Sequence, residues 1–267
     1  IYGDLYFDNT VLKRLLSTFR RNRSMYMVIV RKLDVSQYGL VRLKNSQVKE
    51  IVEKPGKQIT SGYINAGIYL LNKSIFKYLD SIKPSKRGEY EITDAINLLV
   101  RSDFLFSIKV SEKRWIDVGR PWDILDANTM ELKSRSLLEY VTKKFHNFSV
   151  IPPVYISESA VIEKDCIIGP YTVIGDCSLV KRESIVERTV VMDDVYLGRR
   201  VKLRYSLIGS RSVIEDNVRT KCLLNAEKSI QINNRLMKLR PRRIGSLIGC
   251  GKHIEKGKIL EAGSIII

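Results

Sequence analysis

The amino-acid sequence predicts an α/β domain followed by a parallel β-helix, and three observations lead to this fold class. Up to about residue 145, β-branched apolar stretches alternate with helix-forming stretches, which is typical of a layered α/β domain with a mainly parallel sheet. From residue 146 onward, aliphatic residues recur every six positions instead. Small residues follow them at a fixed offset, as the corners of a β-helix require. We therefore expect two domains, residues 1–145 and residues 146–267.

The first domain shows helix and strand signals in alternation. Residues 8–22 begin with Asp8, a good N-cap residue, and carry apolar side chains at helical spacing. The other signals are buried strands at 24–31 and 63–72, a hairpin or meander at 38–44 and 47–54, a helix at 91–102, a strand at 104–110, and a helix from Pro121 to the end of the domain.

The second domain has a six-residue rhythm. The predicted inward positions are Ile162, Ile168, Ile174, Val180, Val186 and Met192, and the matching corner positions are Cys166, Thr172, Ser178, Ser184, Val190 and Tyr196. After a slip of one residue, the rhythm resumes at Leu197, Leu203, Ile208 and Ile214, and it returns at Ile248, Ile254, Leu260 and Ile266. This pattern favours a triangular β-helix. A β-sandwich would instead show alternation with a period of two and frequent hairpin turns, which are scarce here.

The chain is strongly basic, with 46 Lys and Arg against 29 Asp and Glu and a net charge of +17. This excess favours acidic partners such as a nucleotide, a sugar phosphate, a nucleic acid or an anionic membrane surface. The densest basic run, residues 235–243, has no interleaved aromatic residues, so we do not expect a nucleic-acid partner. No apolar run approaches the ~20 residues that cross a bilayer, so we expect no membrane partner and a cytoplasmic location.

The cysteines give no sign of a metal site or a disulfide framework. Cys166, Cys177, Cys222 and Cys250 form no C-x-x-C pair and do not cluster with the two histidines. We therefore expect neither structural zinc nor disulfides.

One acidic residue stands out in the first domain. Asp117 lies within RWIDVGR (114–120), a segment that otherwise reads as a buried strand ended by Gly119. Burying an unpaired carboxylate is strongly unfavourable. Asp117 is therefore either a hydrogen-bonded turn residue or a metal ligand at the mouth of a sheet, and the segment by itself leaves both interpretations open.

The order of several short motifs resembles a known family. The motifs are YGD (2–4), QYGLV (37–41), VEKP (52–55), INAGIYLLN (64–72), RGEYEITDAI (87–96) and WIDVGRPWDILDAN (115–128), followed by the hexapeptide repeats. In this order they resemble the sugar-1-phosphate nucleotidylyltransferases, or NDP-sugar pyrophosphorylases, that carry a C-terminal left-handed β-helix. The resemblance implies an incomplete Rossmann-like nucleotidyltransferase domain at residues 1–145 and a left-handed β-helix at residues 146–267.

The resemblance implies a catalytic magnesium ion. Asp4 and Asp117 match the two family aspartates that hold it together, and Mg²⁺ suits such a pair because it prefers hard oxygen ligands. Both residues are expected at strand ends, where α/β sheets bind their ligands. The resemblance thus favours the metal-ligand interpretation of Asp117, and it implies catalytic roles for Asp4, Asp117 and Lys54.

The resemblance also implies a set of substrate-binding residues. Glu53 accepts hydrogen bonds from sugar hydroxyls, and Lys54 meets the sugar-1-phosphate as a point charge. Gly39 and Gly67 match the glycines that let the backbone approach the sugar. Asn65 and Arg87 complete the predicted set, which is Gly39, Glu53, Lys54, Asn65, Gly67 and Arg87.

The implied reaction joins a nucleoside triphosphate and a sugar-1-phosphate. A phosphate oxygen of the sugar-1-phosphate attacks the α-phosphorus of the triphosphate, which gives an NDP-sugar and releases pyrophosphate. No covalent enzyme intermediate is needed, because positioning and charge neutralisation supply the rate.

The chain departs from the family pattern at its start. The family's Gly-Gly-x-Gly-Thr-Arg loop, which wraps the triphosphate and reads the base, is absent, and the sequence begins at Ile1 with the G-D strand. Three interpretations follow: an N-terminally truncated enzyme, an enzyme whose missing part comes from another polypeptide, or a non-catalytic homologue that binds a nucleotide sugar and regulates or scaffolds. We expect the chain alone to have little or no turnover.

The β-helix adds two expectations. In similar proteins such a helix stacks into homo-oligomers, and in bifunctional relatives it transfers an acetyl group to an amino-sugar-1-phosphate. His253 is the candidate general base for acyl transfer, and a surface histidine is the alternative interpretation. TKCLLNAE (220–227) departs from the corresponding segment of the bifunctional relatives, which counts against acetyl transfer.

Overall fold

The computed structural model describes residues 1–56, 61–85, 88–134, 147–225, 229–232, 235–238 and 242–267. The chain divides into two compact units, Ile1–Val118 and Gly119–Ile267. The domain boundary between residues 145 and 146 stays a prediction, since residues 135–146 lie outside the described part of the chain.

The first unit has the predicted strands and helices, together with a short helix, α2, and a 3₁₀ turn that the sequence did not predict. They are β1 (Leu5–Phe7), α1 (Asn9–Asn22), β2 (Met25–Lys32), β3 (Gly39–Lys44), β4 (Gln47–Glu53), β5 (Gly62–Leu70), α2 (Ile75–Leu79), α3 (Ile92–Ser102), β6 (Leu105–Val110), a 3₁₀ turn (Glu112–Arg114) and β7 (Trp115–Asp117). The α1 helix begins where predicted, because the Asp8 carboxylate accepts the N–H of Thr10 at 2.7 Å. It ends at Arg23, whose φ of 53° is left-handed.

Five strands of the first unit form a closed sheet in the order β2-β5-β3-β4-β6. The expectation of a mainly parallel sheet was wrong: β2 and β6 run parallel, while the other pairs in this sheet are antiparallel. A physical reason lies in the connection between β3 and β4. Asn45 and Ser46 both have positive φ, at 50° and 66°, which is the two-residue turn of an antiparallel hairpin.

Helices cover the sheet with two apolar clusters. Val11 and Leu15 of α1 pack with Val28, Val30 and Ile64 of the sheet. A second cluster, which joins α3 to the sheet, consists of Met25, Met27, Ile29, Val41, Val48, Ile51, Ile75, Ala95, Ile96, Leu99 and Leu105. The apolar faces of α1 and α3 thus pack on the sheet, and its strand ends are the places where polar groups are expected.

The second unit is the left-handed parallel β-helix that the sequence predicts. Its first sheet contains β10 (Val161–Ile162), β13 (Leu179–Val180), β16 (Tyr196–Leu197), β19 (Val213–Ile214) and β26 (His253–Ile254). Its second contains β8 (Ser149–Val150), β11 (Ile167–Ile168), β14 (Ile185–Glu187), β17 (Lys202–Arg204), β20 (Arg219–Thr220) and β27 (Ile259–Leu260). Its third contains β9 (Val154–Ile156), β12 (Thr172–Ile174), β15 (Val190–Val191), β18 (Leu207–Ile208), β25 (Leu247–Ile248) and β28 (Ile265–Ile266).

An insertion interrupts the coils after β20. Its strands pair antiparallel, β21 (Leu223–Asn225) with β24 (Arg242–Ile244) and β22 (Ser229–Ile232) with β23 (Arg235–Lys238). The coils then resume, because β18 pairs directly with β25 and β19 with β26.

The predicted six-residue rhythm is confirmed over most of the β-helix and is wrong by one residue in one coil. Val191, not Met192, is fully buried in the core. Val191 pairs with Ile174, 17 positions earlier, whereas Ile174 pairs with Ile156, 18 positions earlier. This coil is one residue shorter, so the inward position arrives one residue sooner.

The same shift moves the corner positions of that coil. The corner residues are Thr189 and Val195, both fully buried, whereas Val190 belongs to a separate cluster and Tyr196 is only partly buried. At the corners that the sequence places correctly, hydroxyl groups bridge neighbouring coils. The Ser178 hydroxyl donates to the carbonyl of Met192 at 2.8 Å and accepts the N–H of Val195 at 3.1 Å. At the next corner, the Ser184 hydroxyl donates to the carbonyl of Gly198 and accepts the N–H of Val201.

One helix belongs to the second unit. It is α4 (Asp123–Ser134), which begins near Pro121 as predicted. Trp122, just before it, is buried against Val190, Leu207 and Leu247 on the outer face of the third sheet. Trp122 thereby covers part of that face. Across the described residues, no helix has the length and apolar character needed to span a bilayer.

Candidate functional site

Strands β1 and β7 bring the two predicted metal ligands together along the backbone. The strands pair antiparallel, with Leu5 opposite Asp117. The N–H of Val118 donates to the carbonyl oxygen of Asp4 at 2.8 Å. Asp4 is exposed and lies in a turn with Gly3, while Asp117 is half-buried at the end of β7. Because Asp4 precedes the strand, the alternation of side chains along a strand does not fix the direction of its carboxylate.

A buried tryptophan ties this strand pair to the main sheet. Trp115, the first residue of β7, donates its indole N–H to the carbonyl of Ala66 at 2.9 Å. Its ring meets the edge of Tyr38 at a centroid distance of 6.3 Å. The tryptophan therefore fixes the strand that carries Asp117 against β5, which carries Asn65 and Gly67.

Three predicted sugar-binding residues meet where β3, β4 and β5 lie side by side. Gly39 pairs with Glu53 across β3 and β4. A Cβ atom on Gly39 would lie 2.9 Å from Glu53 Oε2, 2.9 Å from Ile51 Cγ2 and 3.6 Å from Asn65 Cβ. The missing side chain at Gly39 thus leaves the space that the Glu53 carboxylate occupies.

Gly67 is required by its backbone and by its neighbour. Its φ of +69° is left-handed, and a Cβ atom there would lie 2.5 Å from the ring of Tyr2. Its N–H donates to Asn65 Oδ1 at 3.0 Å, and its carbonyl accepts the N–H of Tyr2 at 2.9 Å. Gly67 is therefore hydrogen-bonded on one side to the Asn65 side chain and on the other to the backbone of Tyr2.

Sequence reasoning missed two tyrosines in this cluster. The hydroxyl oxygens of Tyr2 and Tyr69 are 3.1 Å apart, and Asn65 Nδ2 is 3.5 Å from the Tyr2 oxygen. Burial, the Tyr2 phenol and the charge of Glu53 raise the pKa of Tyr69 well above its usual range, so Tyr69 stays neutral. Asn65, Gly67 and Tyr69 are two residues apart along β5, and this alternation was the signal that could have indicated Tyr69.

The structure describes one of the two residues that are predicted to bind phosphate. Lys54 directly follows Glu53, is exposed, and has a left-handed φ of 45°. Its N–H donates to the carbonyl of Tyr38 at 3.1 Å, which holds the end of β4 beside the start of β3. Arg87 lies outside the described residues.

Asp4 and Asp117 are the residues of the first unit that the sequence predicts as magnesium ligands. Within the part of the chain that the structure describes, no group of three or more His, Cys, Asp or Glu side chains could hold a metal ion. Mg²⁺ is commonly held by one or two carboxylates together with substrate phosphates. Asp4 and Asp117 are a donor set of that kind.

His253 belongs to the second unit. It faces outward on β26, opposite Val213 of β19, and its Nε2 lies 2.9 Å from Glu215 Oε1. The other oxygen of Glu215 accepts the N–H of Lys256 at 2.8 Å. The bond from His253 and then that N–H lower the pKa of the Glu215 carboxyl. The pair resembles a histidine oriented by a carboxylate, on an exposed surface.

Comparison with known proteins identifies the family to which these elements belong. Residues 1–134 match the nucleotidyl transferase family, and residues 150–239 match the GMPPB C-terminal domain. The chain belongs to the nucleotidyl transferase family, in its sugar-1-phosphate branch, which confirms the resemblance drawn from the sequence motifs.

Several curated relatives match most of the chain. The bifunctional sugar-1-phosphate nucleotidylyltransferase/acetyltransferase of Sulfurisphaera tokodaii is 30% identical over 96% of this chain and 68% of its own length. The bifunctional protein GlmU of Methanocaldococcus jannaschii is 29% identical over 93% of this chain and 64% of its own length. The low-salt glycan biosynthesis nucleotidyltransferase Agl11 of Haloferax volcanii is 29% identical over 65% of this chain. The chain thus spans about two thirds of the two bifunctional relatives.

Solved structures of the same class match about half of the chain. An apo UDP-glucose pyrophosphorylase is 26% identical over 51% of both chains, with a TM-score of 0.42. A UDP-glucose pyrophosphorylase complexed with UDP-glucose is 25% identical over 51% of this chain and 55% of its own, with a TM-score of 0.43.

Proposed function

We propose that the protein takes part in Mg²⁺-dependent transfer of a nucleotidyl group from a nucleoside triphosphate to a sugar-1-phosphate. This chain supplies the metal ligands and the sugar side of the site. The observation that carries the proposal is the pairing of β1 with β7, which joins the backbones of Asp4 and Asp117 through a 2.8 Å hydrogen bond from Val118. Family membership supports the reaction class.

Asp4 and Asp117 hold the metal in this proposal. When bound, Mg²⁺ neutralises charge on the phosphates of the two substrates. The two carboxylates bring opposite charge to a strongly basic chain, and they lie on a strand pair that Trp115 anchors to β5. That anchoring keeps the metal side and the sugar side of the site in a fixed relation, which proximity catalysis needs.

Residues of β3, β4 and β5 bind the sugar. The Glu53 carboxylate accepts hydrogen bonds from sugar hydroxyls beside Gly39, where no side chain intervenes. Asn65 and Gly67 line the same place on β5. Lys54, one residue further along the chain, meets the phosphate of the sugar-1-phosphate, and Arg87 is proposed to meet it as well.

The reaction has a simple balance. An oxygen of the sugar-1-phosphate forms a bond to the α-phosphorus of the triphosphate, and the bond from that phosphorus to the bridging oxygen of the β-phosphate breaks. Pyrophosphate leaves with that oxygen. The protein contributes positioning by Glu53 and Asn65 and positive charge from Lys54.

The test is pyrophosphate release by the polypeptide as the cell makes it, given Mg²⁺, a panel of nucleoside triphosphates and a panel of hexose-1-phosphates. We expect release with at least one pair and a fall of about 10²-fold or more in Asp117→Asn, as for loss of other transition-state charge stabilisers. Asp80→Asn, an exposed aspartate at the end of α2, is the control and should keep the wild-type rate. Full activity in Asp117→Asn would refute the metal assignment.

The same panel decides between an enzyme and a non-catalytic homologue. A protein that binds a nucleotide sugar in calorimetry but releases no pyrophosphate with any pair of substrates is a regulatory or scaffolding homologue. Stacking of the β-helix into a homo-oligomer is proposed in either case, and sedimentation velocity measures it.

The pairing of His253 with Glu215 favours a second candidate activity. A histidine held 2.9 Å from a carboxylate is able to act as a general base in acyl transfer to an amino-sugar-1-phosphate. The Sulfurisphaera tokodaii relative carries acetyltransferase in its name. The test offers acetyl-coenzyme A and glucosamine-1-phosphate to the protein and follows thiol release. Release that is lost in His253→Ala supports this activity, and no release from the wild-type protein excludes it.

A further inference from the structure

We infer that Asn97 is a positioning residue of the proposed sugar site: its carboxamide holds strand β4 from the side of α3 and so fixes where the Glu53 carboxylate lies. The inference rests on the proposed function and deepens it. It assigns part of the affinity for the sugar-1-phosphate to a residue of α3 that the proposed function leaves out.

The first support is a pair of hydrogen bonds between Asn97 and the backbone of β4. Asn97 Oδ1 accepts the N–H of Ile51 at 2.8 Å, and Asn97 Nδ2 donates to the carbonyl oxygen of Ile51, also at 2.8 Å. A residue of a neighbouring antiparallel strand forms the same two bonds. The Asn97 side chain thus takes the place of a strand residue beside β4, although it is 46 positions away in the chain.

The direction of both bonds is fixed by the backbone. A peptide N–H only donates and a peptide carbonyl only accepts, so the oxygen of the carboxamide faces the N–H of Ile51 and its nitrogen faces the carbonyl. Asparagine supplies both partners. An ionised aspartate, which has nearly the same shape, supplies acceptors alone. The arrangement therefore requires an amide at position 97.

The second support is the place of these bonds along β4. Ile51 precedes Glu53 by two residues, so the two side chains point to the same face of the strand. A Cβ atom on Gly39 would lie 2.9 Å from Ile51 Cγ2 and 2.9 Å from Glu53 Oε2, so both side chains border the same space. A shift of β4 at Ile51 would therefore move the carboxylate that is proposed to meet the sugar hydroxyls.

The third support is that α3 is firmly packed. Ile96 and Leu99, which flank Asn97 on this helix, are fully buried in the cluster that joins α3 to the sheet. Strand β6 borders β4 at Gln47, at the other end of β4 from Glu53. Asn97 thus holds the part of β4 that is nearer to Glu53, and a buried helix holds Asn97.

The test separates the affinity for the sugar-1-phosphate from the other kinetic constants. It uses the polypeptide as the cell makes it, with the nucleoside triphosphate and the hexose-1-phosphate that the wild-type protein uses best. Asn97→Asp keeps the acceptor for the Ile51 N–H and loses the donor to the Ile51 carbonyl. Because the sugar hydroxyls take no part in the bonds that form and break, we expect KM for the hexose-1-phosphate to rise about tenfold, while kcat and KM for the triphosphate stay within about twofold.

Two control variants separate positioning from a loss of stability. Asn72→Asp makes the same chemical change just before α2, where the side-chain oxygen accepts the N–H of Ser74 at 2.9 Å and a carboxylate is able to do the same. Leu15→Ala empties a buried position of α1 in the other apolar cluster and should lower stability. Both should keep the wild-type KM for the hexose-1-phosphate, because neither removes a hydrogen bond to β4.

A double-mutant cycle shows whether Asn97 acts through Glu53. We expect Asn97→Asp to lower kcat/KM for the hexose-1-phosphate about tenfold in the wild-type background and less than about twofold in the Glu53→Ala background, where the positioned carboxylate is absent. Thermal melts show which variants are folded. If Asn97→Asp does not fold, Asn97→Ala, which loses both bonds to Ile51, takes its place in the same cycle.

Two outcomes overturn the inference, and they differ from each other. If KM for the hexose-1-phosphate is unchanged in Asn97→Asp, or if the losses from the Asn97 and Glu53 substitutions add independently, Asn97 does not position Glu53 and the proposed function stands. If the wild-type protein neither turns over nor binds any hexose-1-phosphate in calorimetry, the proposed function fails and the inference fails with it. For a protein that binds a hexose-1-phosphate without turnover, the dissociation constant from calorimetry replaces KM in each comparison.

Discussion

The N–H of Val118 lies 2.8 Å from the carbonyl oxygen of Asp4 and donates a hydrogen bond to it. This bond extends the pairing of β1 with β7 by one step and joins residues from opposite ends of the first unit. Asp4 therefore lies across from Val118, one residue along from the position opposite Asp117. The site therefore depends on tertiary pairing rather than on any local motif.

Gly39 allows a direct test of the sugar side. A methyl group in Gly39→Ala would press on Glu53 Oε2 and on Ile51, each 2.9 Å from the new Cβ atom. We expect the carboxylate to shift and KM for the sugar-1-phosphate to rise about tenfold, which corresponds to one lost hydrogen bond of about 1.4 kcal/mol. Gly62→Ala is the control, since its Cβ atom meets the flexible end of Leu40. An unchanged KM in Gly39→Ala would contradict the placement of Glu53.

The raised pKa of Tyr69 predicts that the folded protein loses stability at high pH. Its folded-state pKa is raised above the usual value of 10.0, chiefly by burial. The unfolded chain therefore loses this proton first as pH rises past about 10, and folding stability falls over that range until the folded pKa is reached. Urea denaturation from about pH 9 to about pH 11 should show a smaller loss of stability in Tyr69→Phe than in wild type.

Tyr90→Phe provides the comparison for that experiment, because Tyr90 is 70% exposed. Its stability should fall with pH in parallel with the wild-type protein. If the stability of Tyr69→Phe falls with pH as much as that of the wild-type protein, the pKa of Tyr69 is not raised as its burial beside Tyr2 and Glu53 implies.

Ser178 tests the hydroxyl bridges between coils. Ser178→Ala removes the acceptor for the buried N–H of Val195 and the donor to Met192. We expect a loss of about 1–3 kcal/mol in the free energy of unfolding, since a buried donor is left unsatisfied. Ser149→Ala, on the exposed outer face of β8, should change stability by less than about 0.5 kcal/mol. Equal effects of the two substitutions would show that the bridges do not stabilise the β-helix.

Substitution of Trp122 tests how much its packing on the outer face of the third sheet stabilises the second unit. Trp122→Ala empties a fully buried position among Val190, Leu207 and Leu247, and we expect a loss of about 3–5 kcal/mol. Leu33→Ala is the control, because that side chain is exposed. Chemical denaturation measures both, and near-wild-type stability in Trp122→Ala would mean that this contact contributes little.

The β-helix could be predicted from the sequence because its repeat is local and its interior is uniform. Positions such as Ile168, Val180 and Leu203 follow the period and are fully buried. The prediction of Met192 failed where one coil is a residue shorter, since a fixed period does not anticipate a change in coil length. The prediction of a mainly parallel sheet was wrong because an alternation of strands and helices does not reveal which strands a tight turn joins.

The site was predictable where residues belong to short motifs and not where they meet across the fold. Gly39, Glu53 and Asn65 were named from motifs, and the structure brings them together. Tyr2 was missed because its contact with Tyr69, 67 positions away, has no spacing signal in one sequence, while the alternation along β5 could have indicated Tyr69.

The most direct test of the central claim is a Mn²⁺ titration followed by electron paramagnetic resonance. It compares wild-type protein, Asp4→Asn, Asp117→Asn and the double variant, with Mn²⁺ alone as the probe. Because one ion is shared, each single variant should bind that one Mn²⁺ about tenfold or more weakly, and the double variant should bind it at least as weakly as either single variant. Unchanged affinity in either single variant, or two bound ions of which each single variant weakens only one, would show that Asp4 and Asp117 do not hold a common ion.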